Sequence, residues 1–169
     1  MRDYANTGPL RRLVRRTAAT RPMTWVYTRI QRPADKLLYR LTRGRATASS
    51  LLSGLPVVML TTTGARSGRP RTVPVLGIPD GDQLIVIASN YGRPHHPAWF
   101  HNLRADPRCA VTTGGVTRRV EARQLSGADR DARFARALRV YPGFRTYRER
   151  ATGSRRIPVF VLDAGPARP

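Results

Sequence analysis

The sequence predicts a mainly β, α+β domain, a small antiparallel barrel with peripheral helices. Three observations carry this. Apolar, β-branched runs of strand length outnumber the helical stretches. Two gaps between them, Asp80-Gly81-Asp82 and Gly114-Gly115, are turn sequences that join antiparallel neighbours. No strand-helix-strand alternation occurs of the kind that builds a parallel sheet. At 169 residues the chain suits one domain with a real core.

Residues 1–22 form a basic arm punctuated by Pro9 and Pro22, in which Leu10, Leu13, Val14 and Thr17 fall at helical spacing among Arg11, Arg12, Arg15 and Arg16. Such a helix can lie on an anionic membrane with its guanidinium groups among lipid phosphates; a solvated arm has the same composition. The barrel domain is expected over residues 23–169. Two short helices are predicted over 23–43, divided at Pro33, with Ala34, Leu37, Leu38 and Leu41 on one apolar face of the second. A meander of strands follows over 56–62, 71–78 and 83–89. Pro97 opens a short helix that Pro107 must close. Residues 108–113 and 116–125 pair as a hairpin, and in the second strand Val120 and Ala122 alternate with Arg119, Glu121 and Arg123, so one face is wet. Ser126 starts a helix, with Asp129 as its capping-box partner and Phe134, Leu138 and Val140 facing inward. Pro142-Gly143 breaks it. Tyr141, Phe144 and Tyr147, spaced by three, make one aromatic ridge if that segment is helical. A buried strand over 157–162 closes the domain.

The formal charge of +21 implies polyanionic surroundings: nucleic acid, an anionic membrane or an acidic ligand. Lys36 is the only lysine among the basic residues, which points to biased codon usage behind part of that charge. Cys109 stands alone, so it makes no disulfide or zinc site and reads as a small core residue in a reducing compartment. His95, His96 and His101 cluster without cysteines or any nearby carboxylate beyond Asp106, and no metal centre is expected. No apolar run reaches the length of a membrane span, and the N-terminus lacks a signal-type core. A cytoplasmic protein follows, with the arm as a peripheral contact at the inner face of the cell membrane.

The run Thr61-Thr62-Thr63-Gly64-Ala65-Arg66-Ser67-Gly68-Arg69-Pro70-Arg71 reads as an anion cradle between two strands. Gly64 and Gly68 allow φ > 0, so backbone N–H groups can converge with the Ser67 hydroxyl, while Arg66, Arg69 and Arg71 supply guanidinium forks. It is neither of the two standard nucleotide loops, G-x-x-x-x-G-K-[ST] or G-x-G-x-x-G. A solvated hairpin loop is the alternative.

Four segments in order carry a resemblance: the cradle with Arg71 and Pro74; Ala88-Ser89-Asn90; Pro97-Ala98-Trp99-Phe100-His101-Asn102-Leu103; and residues 141–161. Across roughly residues 35–163 the chain resembles the deazaflavin-dependent nitroreductase family, split-barrel oxidoreductases of actinobacteria that use reduced coenzyme F420. The resemblance implies a six-stranded antiparallel split β-barrel, similar to FMN-binding barrels, with the deazaflavin in a groove. It implies that F420 is held by Ala65, Arg66, Ser67 and Gly68, by Arg71, Thr72, Val73, Pro74, Val75 and Leu76, by Ile87, Ala88, Ser89 and Asn90, and by Ala98, Trp99, Phe100, His101, Asn102 and Phe144. It also implies that Tyr141, Phe144 and Tyr147 line the substrate pocket. The family's frequent Lys is Arg66 here, its frequent Lys-Gly is Asn90-Tyr91, and Phe144 stands where some relatives carry Tyr.

The implied reaction is hydride transfer from F420H2 to a quinone, nitroaromatic or similar flat electrophile, with a small-molecule acceptor as the partner. Such a protein needs a charge clamp, an apolar wall and an open face rather than a catalytic carboxylate pair. Ser89 and Tyr147 are the catalytic candidates, Ser89 by orienting or protonating the acceptor; bonding a strand-end backbone is the other role open to Ser89. Trp99 either packs in the core or stacks on the ring, and His101 caps local backbone or acts as an acid. Asn102 contacts cofactor or stabilises its helix end. The same barrel holding FMN or haem, and a basic nucleic-acid-binding module, are the competing readings.

Overall fold

The computed structural model describes residues 55–164; the basic arm and the helices expected over 23–43 lie outside the described residues. Seven strands form one sheet: β1 (Val57–Thr63), β2 (Pro70–Leu76), β3 (Ile78–Asp80), β4 (Gln83–Ile87), β5 (Arg108–Thr113), β6 (Val116–Gln124) and β7 (Val159–Ala164). Their order is β2-β1-β5-β6-β7-β4-β3, and every neighbouring pair is antiparallel. Among the described residues three α-helices accompany it: α1 (Ala98–Ala105), α2 (Gly127–Val140) and α3 (Gly143–Ala151).

The sheet's two edge strands, β2 and β3, are consecutive in the chain and separated by Gly77 alone. A sheet whose edges are one residue apart must curl until they meet, and this closes the barrel. The single strand expected over 71–78 is therefore two, which makes seven strands where six were expected. The cause lies across the sheet. The Gly77 N–H donates to the Pro56 carbonyl at 2.8 Å, and a Cβ at Gly77 would lie 2.8 Å from Val58 Cγ1. Only glycine lets the bend press so closely against β1.

Strand pleating sorts the core into two layers. Inside the barrel, Val58 and Leu60 of β1, Val111 of β5, and Phe160 and Leu162 of β7 pack with Val86, Ala88, Trp99, Phe100 and Leu103. Outside it, Ile85 and Ile87 of β4 and Val159 and Val161 of β7 pack against Phe134, Ala137, Tyr141, Phe144 and Tyr147. Both faces of β4 and β7 are thus buried, which is why these strands read as continuous apolar runs. On β6, Val120 and Ala122 face inward while Arg119, Glu121 and Arg123 are exposed, as the alternation predicts.

Details differ from expectation in three places. Ser126 caps α2 by position without a side-chain hydrogen bond, and the Asp129 carboxylate accepts from Arg133 Nη1 at 2.7 Å rather than completing a capping box. The buried side of α2 carries Arg130, Phe134 and Ala137, with Leu138 and Val140 only half-buried. Arg130 reaches this side by donating Nη2 to the Ile157 carbonyl at 2.9 Å and laying its guanidinium over Phe134 at 4.7 Å. And β4 ends at Ile87, so Ser89 lies past the strand rather than within it. Among the described residues, no helix is long and apolar enough to cross a membrane.

Candidate active site

The cradle is a β1–β2 hairpin loop whose backbone is almost wholly committed to itself. Gly64 donates to the Arg69 carbonyl at 2.9 Å, and the Gly64 carbonyl accepts from Ser67 and Gly68 at 3.1 and 2.8 Å. The Arg69 N–H turns to Ser67 Oγ at 3.4 Å. The expected convergence of backbone N–H groups on an anion is therefore not formed: these donors close the loop instead. Gly68 alone takes the left-handed conformation, with φ +63°. Gly64 is required for close approach, since a Cβ there would meet Ser67 Oγ at 2.7 Å. The anion-binding capacity lies in side chains: Arg66, Arg69 and Arg71 are exposed and pair with no carboxylate among the described residues.

Asn102 ties this loop to α1. Its Oδ1 accepts from the Ala65 N–H at 3.0 Å and its Nδ2 donates to Thr62 Oγ1 at 2.9 Å. The amide is buried, so the bond to Thr62 forms away from water, where it counts most, while the bond from Ala65 is partly covered. Asp106, at the other end of α1, is held below the usual carboxylate range chiefly by the hydrogen bond from the Arg108 side chain, at 2.9 Å. Along β2 the pleat separates the expected contacts. Val73 and Val75 pack toward the barrel interior, whereas Thr72 faces out and shares a hydrogen bond with Thr61, 2.9 Å between hydroxyl oxygens. Leu76 packs on the outer cluster. As an edge strand of the sheet, β2 leaves backbone groups without a strand partner.

A second loop follows β4. Asn90, Tyr91 and Gly92 take φ of 46°, 59° and 76° in succession, a left-handed turn with two non-glycine residues. Asn90 Nδ2 donates to the His95 carbonyl at 2.9 Å, closing the loop. Ile87 and Ala88 are buried and offer only backbone. The Ser89 side chain is half-buried, and its hydroxyl makes no hydrogen bond to a described residue. The strand-end carbonyls that it was expected to bond are occupied by Arg155, at 3.2 Å for Ala88 and 2.6 Å for Ser89.

Aromatic contacts join this loop to both helices. His96 stacks on Phe100, with centroids 4.1 Å apart, and Trp99 and Phe100 both meet Phe160 edge-on. Trp99 is thus a core residue, with little ring surface left for a ligand. His101 is exposed against the Phe100 edge at 5.1 Å and makes none of the backbone hydrogen bonds expected of a cap among the described residues. Ala98 is exposed beside it. On the other side, a Cβ at Gly92 would lie 2.7 Å from the Tyr147 carbonyl, and Tyr91 meets the Tyr147 ring edge-on at 5.8 Å.

Tyr141, Phe144 and Tyr147 are all buried, and the two tyrosine hydroxyls lie 3.1 Å apart. Burial, then the Tyr141 hydroxyl, pushes the Tyr147 phenol well above its ordinary range, so it stays protonated. These rings form the packed floor beneath the turn. Burial likewise raises the Cys109 thiol to about 12, which leaves it inert at neutral pH. His96 moves the other way: burial first, then the cations of Arg155, His101 and Arg104, hold its pKa below the ordinary value. Among the described residues, no three His, Cys, Asp or Glu converge as a metal site.

The four sequence segments therefore meet in one place. Asn102 links the cradle to α1, the His96–Phe100 stack links α1 to the turn carrying Ser89, and Gly92 seats that turn on α3. Residues 32–164 match the model of the F420H(2)-dependent quinone reductase family. The chain belongs to this family. Over 126 residues it is 34% identical to the F420H(2)-dependent quinone reductase of Mycobacterium tuberculosis (strain H37Rv), covering 74% of this chain and 84% of that protein. Among solved structures it is similar to an F420-H2 dependent reductase (35% identity, TM-score 0.59, 64% of this chain and 94% of that one). A second structure, described as a domain-swapped dimer, shares 30% identity at TM-score 0.62 over 84% of this chain and 99% of that one. The split barrel expected of a quinone reductase of this family is the fold observed.

Two residues of the site went unseen in the sequence. Arg155 is one arginine among many, and its partners lie 59 to 67 positions away, so no local motif marks it. Thr62 read as a strand residue; its opposition to Asn102 makes its hydroxyl an acceptor from that amide while it donates to the Arg71 carbonyl at 3.5 Å.

Proposed function

We propose that the protein is a reductase that takes reduced F420 as hydride donor and a quinone as acceptor, with nitroaromatics as further acceptors of the same flat, electron-poor kind. Family membership supports the cofactor and the quinone. The observation that supports the placement is the trio of guanidinium groups without a carboxylate partner among the described residues, Arg66 and Arg69 on a loop whose backbone is fixed and tied to α1 by Asn102, and Arg71 at the start of β2. Such a loop fits a phosphate followed by several carboxylates better than a single anion, because separate cationic forks can each take one group without rearrangement. This favours F420 over FMN or haem, and small-molecule redox chemistry over nucleic-acid binding.

When bound, the reduced deazaflavin supplies a two-electron hydride equivalent. Everything else falls to the chain. The Arg trio anchors the acidic tail, with Arg66 and Arg69 on the loop and Arg71 at the start of β2. Thr72 and Pro74, on the outward face of β2, flank the groove with the strand's free backbone edge. Ser89, whose hydroxyl bonds no described residue, donates a hydrogen bond to the acceptor's carbonyl oxygen, where negative charge develops as hydride arrives. A proton reaching that oxygen through Ser89 or water completes the hydroquinone. Tyr147, protonated and bonded to Tyr141, holds the floor under the turn. The basic arm is proposed as a peripheral membrane contact that would bring the enzyme to lipid-soluble quinones.

Titrating the protein into F420 should change the deazaflavin's fluorescence and saturate; F420H2 oxidation should then depend on added quinone. Ser89→Ala should lower turnover by about tenfold or more while leaving F420 affinity intact. Unchanged fluorescence at saturating protein would remove the cofactor from this reading.

A further inference from the structure

The turn after β4 is strained and follows Ser89, whose hydroxyl bonds no described residue. Two non-glycine residues, Asn90 and Tyr91, sit in the left-handed region directly after Ser89, a conformation that persists only when surrounding contacts over-determine it. The contacts come from Arg155, in the segment that leads into β7. Its Nη1 and Nη2 donate to the carbonyls of Ala88 and Ser89, before the turn, at 3.2 and 2.6 Å. Its Nε donates to the Arg93 carbonyl, after the turn, at 2.9 Å. Nη1 also lies 3.2 Å from His96 Nδ1. A guanidinium with no carboxylate partner among the described residues thus grips both flanks of the strained segment at once.

The fourth contact fixes a protonation state. A guanidinium only donates, so His96 Nδ1 must accept, which places the imidazole proton on Nε2 and leaves the ring neutral. The groups facing the ring are all unfavourable to a second charge there. They are Arg155 from the segment before β7, His101 and Arg104 from α1, and the apolar face of Phe100. In the turn, the Asn90 amide donates to the carbonyl of His95, the residue before the ring.

We propose that Arg155 is a positioning residue for Ser89, stapling the strained turn from both flanks, and that His96 makes the staple depend on its own protonation. The Ser89 part rests on the reading of that hydroxyl as the group facing the acceptor; the staple itself does not. Protonating Nδ1 removes an acceptor and sets a cation against the guanidinium, so the turn loosens and the Ser89 hydroxyl loses its fixed direction. A lysine at 155 has one nitrogen and cannot grip both flanks together.

The test reads two amides in the full chain without cofactor, so that it is independent of the redox assignment. The N–H groups of Gly92 and Arg93 donate within the turn to the carbonyls of Ser89 and Asn90. Their hydrogen-exchange protection, corrected for intrinsic rate, should fall by roughly tenfold or more in Arg155→Lys and Arg155→Ala while amides of β7 and α2 hold theirs. In the wild type, protection should also fall as pH drops below the ordinary histidine value of 6.5. His96→Asn, whose side-chain oxygen can accept in place of Nδ1, should keep protection and lose that pH dependence. With F420H2 and quinone, Arg155→Lys should lower kcat on the order of tenfold to a hundredfold with F420 affinity retained, because the cradle is untouched. Unchanged protection in Arg155→Lys, or an unaltered pH profile in His96→Asn, overturns the staple. Protection that behaves as expected in a protein that does not oxidise F420H2 overturns the redox reading and leaves the staple standing.

Discussion

The two loops that build the site solve opposite problems. The cradle between β1 and β2 spends its backbone on itself and keeps its side chains free; the turn after β4 strains its backbone, and a distant side chain holds it. One presents charge and needs only a steady base. The other aims a single hydroxyl and needs a defined direction. The contrast explains why guanidinium groups suffice at the first, where any of several orientations reaches an anion, whereas the second requires a staple.

Glycine separates the two most sharply. Gly68 and Gly92 share the left-handed conformation, but a Cβ would meet open space at Gly68 and backbone at Gly92. Gly92→Ala should therefore cost about 3 kcal/mol, strain plus overpacking, against about 1 kcal/mol for Gly68→Ala, compared by urea denaturation. Equal costs would mean that the turn is not seated on α3. Next in size is Asn102→Ala, which strands the Ala65 N–H and takes a donor from the Thr62 hydroxyl. It should destabilise by about 2–3 kcal/mol and weaken F420 binding as the cradle loses its mooring.

Arg66→Ala and Arg69→Ala should each weaken F420 roughly tenfold, about 1.4 kcal/mol, with folding stability within about 0.5 kcal/mol of the wild type. Raising the salt concentration should shrink that difference, since the groups are exposed. The smallest effect concerns acid. His96 has a folded pKa below 6.5, so above that value its contribution is intact. As pH falls below 6.5 the unfolded chain takes up the proton first, and stability declines until the folded pKa is passed. The difference in unfolding free energy between wild type and His96→Asn should trace that slope.

Much of this was legible in the sequence, for reasons that particular residues make plain. The β5–β6 hairpin announced itself through Gly114-Gly115 and the alternation of Val120 and Ala122 with charged neighbours. α1 was bounded by Pro97 and Pro107, and the cradle's arginines stood out within it. What stayed hidden depended on contacts across the sheet. The break at Gly77 is dictated by Val58, nineteen residues earlier and brought beside it by the β1–β2 hairpin. The cradle's inward-facing amides follow from the carbonyls of Gly64 and Arg69, and the burial of Tyr141, Phe144 and Tyr147 follows from their packing against Ile85, Ile87, Val159 and Val161. Arg155 was invisible for the same reason: local spacing says nothing about a guanidinium whose acceptors are brought to it by the barrel.

The position of β7 bears on how the protein is made. It lies between β6 and β4, so the last strand of the sheet in chain order is also an inner one. Until it arrives, β2-β1-β5-β6 and β4-β3 are separate pieces linked through Gly77, and Phe160 and Leu162 are missing from the barrel interior. A ribosome therefore releases most of the domain before its sheet can be completed. The nascent chain carries the exposed edges of β4 and β6 until the final insertion, which makes this interval the one in which it is most open to mispairing with another copy.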